Sequence, residues 1–154
     1  MQPAIQDFYP GDFARCYGCG RLNEHGHQIK TRLDGDDTVT EFTPEEFHTA
    51  LPGYIYGGLI ASLIDCHSTG SAAIFATVGA GRRIEDGDSP RYVTAHLAVD
   101  YLAPTPLETV RIVGKLVEIK GRKVVVDSEF HSGGRVTARG HAVLVHVPEG
   151  FGKS

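Results

Sequence analysis

The hydrophobic period of the chain changes at residue 57 and again near residue 79. Between Gly57 and Val78, the apolar residues Leu59, Ile60, Leu63, Ile64, Ile74, Phe75 and Val78 recur at three- and four-residue spacing without a proline. That spacing predicts a helix of about six turns, apolar around most of its circumference, which must therefore be buried. Gly79 stands where a C-terminal cap is expected. On either side the period falls to two. Residues 28–33 and 38–42 flank Asp34, Gly35 and Asp36, a strong turn signal, and predict a hairpin. After a loop of mixed charge over residues 79–91 come four strand patterns, at 92–102, 108–119, 123–131 and 135–147. The first alternates so as to place Val93, Ala95, Leu97, Val99 and Tyr101 on one face, and Pro104 and Pro106 end it. The turns between the others fall at Lys120-Gly121-Arg122 and Ser132-Gly133-Gly134.

Two strands, one long buried helix and four longer antiparallel strands make an α+β layered domain. Connections this short favour hairpins over parallel crossovers. Residues 1–26 read as a polar, turn-rich leader, 27–147 as the domain and 148–154 as a free tail. At 154 residues, with 41% apolar and 22% charged residues, the chain has the size and composition of one globular domain, and disorder as the dominant state is excluded. A net charge of −4 and an isoelectric point near 6.0 argue against a nucleic-acid or membrane partner, though a local basic cluster suffices for a phosphate-bearing small molecule. The N-terminus lacks the pattern of a signal peptide, and no run of roughly 18 apolar residues predicts a membrane span. Three cysteines, an odd number with one inside the helix, point to a reducing, cytoplasmic setting rather than a disulfide framework.

The segment Pro52-Gly53-Tyr54-Ile55-Tyr56-Gly57-Gly58, followed by Leu59 to Ile64 and then Asp65, resembles the PG-x-x-HGG-x(6)-D signature of hotdog-fold thioesterases, in the PaaI-like branch of the phenylacetate pathway. Ala98-Val99-Asp100-Tyr101-Leu102-Ala103-Pro104 resembles that family's VDYLRP strand, and the turn Gly121-Arg122-Lys123-Val124 is also similar. The three segments follow the family's order within residues 28–147. Tyr56 occupies the position of the signature's histidine. Cys66-His67-Ser68 follows Asp65 where small or acidic residues are more common. The resemblance implies an antiparallel sheet wrapped around one central helix and a homodimer, or a tetramer of two dimers, joined through an edge strand. It further implies an active site at the subunit interface and hydrolysis of acyl-CoA thioesters, with coenzyme A present only as part of the substrate and no metal.

That chemistry needs a carboxylate as base or nucleophile, donors for the oxyanion and a slot for the acyl chain. The unpaired N–H groups and positive dipole end at the helix N-terminus make the Gly57 and Gly58 amides the candidate oxyanion donors. Asp65 lies two turns beyond Gly58 on a small and polar stripe, Gly58, Ser62, Asp65, Thr69 and Ala72. Two turns is about 10.5 Å, too far for both groups to grip one atom within a subunit, so a partner's Asp65 is expected to face these glycines. Ser68 and Thr69 are candidates to orient the carboxylate or a water, and Tyr56 to donate its phenol. His48 matches a polar position before the Pro52-Gly53 loop in similar sequences. Arg82, Arg83 and Arg91, with Lys120, Arg122 and Lys123, form two basic clusters suited to the coenzyme A phosphates.

Other residues carry plainer expectations. His67, two positions after Asp65, points to a different helix face and is expected to be packed. Cys16-x-x-Cys19 is half a zinc site, and the spacing of His25 and His27 does not complete it, so no metal is expected. Cys66 reads as a small buried hydrophobe. Two other readings remain open. A hotdog-fold dehydratase or hydratase would need a His paired with the carboxylate, which Asp65-Cys66-His67 does not space correctly. A non-catalytic acyl-CoA binder would keep Gly57-Gly58 and the basic clusters without requiring Asp65.

Overall fold

The protein is described by a computed structural model covering residues 2–148 and 150–151. Six strands and one long helix follow in chain order: β1 (Thr31–Asp34), β2 (Asp37–Phe42), α1 (Gly57–Gly79), β3 (Tyr92–Tyr101), β4 (Val110–Lys120), β5 (Lys123–Ser132) and β6 (Arg135–His146). The strands form one antiparallel sheet in the order β1-β2-β4-β5-β6-β3. α1 packs against all six, which is the hotdog arrangement of a sheet wrapped around a central helix. Period-two alternation supplies the sheet's half of the core. Val124, Val126 and Phe130 of β5 point at the helix, beside Ile112 of β4 and Leu144 of β6, and meet Leu63, Ile64 and Ile74 of α1. α1 is long and apolar enough to cross a bilayer, yet 78% of its most apolar stretch is buried inside the fold.

The structure revises the predicted elements at four places. Gly79 is the last helical residue, not the cap. The left-handed residue is Gly81, at φ +75°, whose N–H bonds the Val78 carbonyl at 2.9 Å while that of Arg82 bonds Thr77 at 3.0 Å. This paired closure takes up the orphan carbonyls of the last turn and needs positive φ at the residue after the cap, Ala80. The first strand starts at Thr31 rather than residue 28, because Gln28 adopts φ +56° and sends its side-chain amide back to the Gly20 carbonyl. In β3 the pairing with β6 shifts between Thr94 and His96. The extra residue, Ala95, reverses the alternation. Leu97 and Val99 pack on the core as expected, but Val93 and Ala95 are exposed and Thr94 turns inward.

The fourth revision concerns the leader. Its two 3-10 turns, Ile5–Phe8 and Gly11–Phe13, bury Ile5, Gln6, Tyr9, Ala14 and Cys19 with the core. Gln6 spans the gap to β1, accepting the Thr31 N–H at 2.8 Å and donating to its hydroxyl at 3.0 Å. A segment with enough apolar residues to cover α1 does not stay in water, whatever its polar fraction. In the 79–91 loop, a 3-10 turn at Ile84–Asp86 likewise buries Ile84. Of the predicted tail, residues 149 and 152–154 lie outside the described residues, as does Met1 of the leader.

Candidate active site

α1 begins abruptly. Tyr56 occupies the N-cap position without a side-chain cap bond. Its carbonyl takes the N–H groups of Leu59 and Ile60 at 3.0 and 3.3 Å. The amides of Gly57 and Gly58 have no acceptor among the described residues. Two unpaired donors therefore sit at the positive end of a 23-residue helix. The Tyr56 ring folds back over Gly58, so that a Cβ there would lie 2.5 Å from a ring carbon. The Gly57 carbonyl accepts the Tyr101 hydroxyl at 2.7 Å, which ties the start of the helix to β3.

Asp65 is half-buried, two turns along α1 from Gly58 on the same stripe. Its Oδ1 accepts the hydroxyl of Thr94 on β3. Its Oδ2 has no partner among the described residues. Sequence reasoning missed Thr94 because the bulge at Ala95, which a regular alternation does not reveal, is what turns it toward the helix. The two hydroxyls expected to orient Asp65 are not bonded to it. Thr69 back-bonds to the Cys66 carbonyl at 3.1 Å, and the Ser68 hydroxyl is buried without a partner among the described residues. From Gly57 to Asp65 is about 12 Å along the axis, so donors and carboxylate of one chain do not converge on a single atom.

The remaining candidates fall into three groups. His67 is fully buried in a polar chain that fixes α1 to the first hairpin. Its Nδ1 meets Thr40 Oγ1 at 2.8 Å and its Nε2 meets Ser71 Oγ at 3.4 Å, while Ser71 Oγ meets Thr38 Oγ1 at 2.6 Å. Burial lowers its pKa from 6.5 to about 3, so the imidazole is neutral. It belongs to this network and not to Asp65. His48 sits beside the helix entry, its carbonyl accepting the Tyr56 N–H at 2.9 Å and its Nδ1 the Glu45 N–H at 2.9 Å. Its ring packs among His27, Phe42 and Phe47, lining a cleft of about 270 Å³.

Among the basic residues, Arg82 and Arg122 are brought together. Both line a cleft of about 400 Å³ with Tyr92 and His146, near the C-terminal end of α1. Each spends a donor on a carbonyl, of Gly87 and His146 respectively, and keeps others of its five. Arg83 and Lys123 are instead paired with Glu85 and Glu118. Arg91 is stacked over the Tyr9 ring at 4.8 Å. The Cys16-x-x-Cys19 pair and Cys66, which nothing in the sequence joins, meet in one cluster.

Comparison with known proteins supplies the context for this geometry. A family model described as "Thioesterase superfamily" matches residues 52–139, which include Gly57, Gly58, Asp65 and Thr94. The chain is 36% identical over 95 residues to the acyl-coenzyme A thioesterase THEM4 of Xenopus laevis, covering 61% of this chain and 37% of that protein. It is 35% identical over 96 residues to the Mus musculus THEM4, covering 62% and 36%. The chain thus spans little more than a third of the length of these curated relatives. A crystal structure of a thioesterase superfamily protein from Shewanella loihica PV-4 is 46% identical, covering 82% of this chain and 96% of that one, with a TM-score of 0.64. The PaaI protein of the E. coli phenylacetic acid degradation operon shares the fold at 14% identity and a TM-score of 0.64, over 79% of this chain and 81% of that one.

Proposed function

The chain belongs to the thioesterase superfamily, and from that footing we propose that it hydrolyses the thioester bond of an acyl-CoA. The observation that carries the reading is the pairing of two features on α1. These are free Gly57 and Gly58 amides at its positive end, and a carboxylate at Asp65 aligned through one oxygen and open at the other. In the reaction, the open oxygen of Asp65 takes a proton from water as the water oxygen bonds to the thioester carbonyl carbon. The Gly57 and Gly58 N–H groups hold the negative charge that develops on the carbonyl oxygen. The C–S bond then breaks, the proton passes from Asp65 to the departing sulfur, and free carboxylic acid and coenzyme A leave. Thr94 keeps the carboxylate in register, and Tyr56, exposed over the helix start, offers its phenol to the substrate.

The separation of about 12 Å supports a site divided between the two subunits of a homodimer, one chain's glycines facing the partner subunit's carboxylate. Among the described residues β3 has a strand on one side only, β6. It is also the strand that carries Thr94 and Tyr101. An open edge next to the chemistry favours pairing of β3 with its counterpart. Arg82 and Arg122 supply donors for the coenzyme A phosphates. The Pro52-to-Asp65 motif supports the PaaI-like branch, and three free thiols suit a reducing, cytoplasmic setting.

The test is release of free thiol from a panel of acyl-CoAs by wild type and Asp65→Asn. Hydrolysis by the wild type and a loss of about 10²–10⁴-fold in the variant are expected for removal of a general base. Equal rates, or acyl-CoA binding without hydrolysis in both, would sink the proposal.

A further inference from the structure

Cys16, Cys19 and Cys66 meet where the leader crosses α1, although 50 residues separate Cys16 from Cys66. Their three Sγ atoms lie within 4.8 Å of one another, and those of Cys16 and Cys66 are 3.8 Å apart. Tetrahedral zinc–thiolate sites have bonds of about 2.3 Å and hence sulfur–sulfur edges of about 3.8 Å. The turn is shaped around the sulfurs. Gly20 N–H closes it on the Cys16 carbonyl at 2.8 Å, and the Cys66 sulfur occupies the space a Cβ at residue 18 would need.

We propose that Cys16, Cys19 and Cys66 bind a thiophilic divalent cation, Zn²⁺, which clamps the leader to the central helix. The sulfurs already stand at a spacing that a tetrahedral cation fits, and on binding the thiols lose their protons to solvent as the Zn²⁺–sulfur bonds form. Three thiolates on Zn²⁺ carry one net negative charge, and the Arg91 guanidinium is at hand to offset it. Arg91 lines the same 240 Å³ cleft as Cys16. That cleft gives the cation its path and leaves the fourth coordination position facing solvent, since Cys19 and Cys66 are buried and Cys16 is not. The Tyr9 hydroxyl, buried beneath Arg91 without a partner among the described residues, marks the same region as polar. His25 and His27 stay out of the set, the first exposed beside Glu24 and the second stacked on Tyr17 and His48.

The test is a Co²⁺ titration of the reduced full chain, independent of any hydrolytic assay. The expected result is thiolate-to-metal charge-transfer absorption that saturates at one Co²⁺ per chain and is displaced by Zn²⁺. Bound Zn²⁺ should also shield the thiols from alkylation. Cys16→Ser, at the rim of the core, should lower affinity by more than the ~10–100-fold that loss of an outer partner costs. Absence of that absorption from wild type with three titratable thiols would overturn the proposal. So would full Co²⁺ binding in a folded Cys16→Ser or Cys66→Ser variant. A wild-type chain that ignores Co²⁺ yet closes a Cys16–Cys66 disulfide with diamide would overturn it in favour of a redox pair.

Discussion

Asp65 is the only carboxylate on a helix of 23 residues whose other side chains, His67 apart, are apolar, small or hydroxylic. A charge in such surroundings is unfavourable unless something holds it, and here the partner is a single hydroxyl, Thr94. Thr94→Val should therefore lower kcat by about 10-fold, the worth of one hydrogen bond to a charged group, with KM little changed. Thr94→Ser should restore most of it. Steady-state kinetics of the two variants separates this positioning role from a packing one, which serine would not rescue. Asp65, Gly57 and Gly58 could be singled out as candidates from the sequence because the motif that carries them is local. Thr94 was not, since its direction depends on a bulge. Cys66 was read alone because its partners come from a leader whose burial no periodicity announces.

Among the elements, α1 was legible almost to the residue, and its ends explain why. The apolar run fixes its extent, while the closing residue depends on which glycine the chain can place at positive φ. Gly81→Ala should destabilise the fold by about 1–2 kcal/mol, the cost of a left-handed Cβ. Urea unfolding should show a lower midpoint at unchanged slope, with thioester hydrolysis unaffected. The contact between α1 and the β1–β2 hairpin makes a second, pH-dependent prediction. His67 is neutral in the fold, with its pKa lowered to about 3, whereas an unfolded histidine titrates near 6.5. Below that value the unfolded chain binds a proton that the native chain refuses. Stability is therefore fully present above about pH 6.5 and falls by up to about 1.4 kcal/mol per unit as pH drops toward 3. His67→Gln should flatten urea midpoints between about pH 6.5 and 5, where carboxylates scarcely titrate. Equal slopes in both proteins would contradict this.

At the scale of the whole molecule, the succession of hairpins made the antiparallel sheet legible. The position of β3 at the open edge beside β6 was less so, because it follows from the helix carrying the chain across the sheet. That position has a functional consequence, since one open edge carries Thr94 and Tyr101, and both reach back to α1. The central claim is that hydrolysis requires the glycine amides of one subunit and Asp65 of another. Gly57→Pro removes one of the two amides where proline suits the first helical turn, and Tyr56 before it already has the extended backbone that proline requires (ψ 129°). Gly57→Pro and Asp65→Asn should each be nearly inactive alone. Refolded together in equal amounts, they should regain about a quarter of wild-type activity, because half the dimers are mixed and each mixed dimer holds one intact site. A mixture as inactive as its components, with mixed dimers shown to form, would contradict the account.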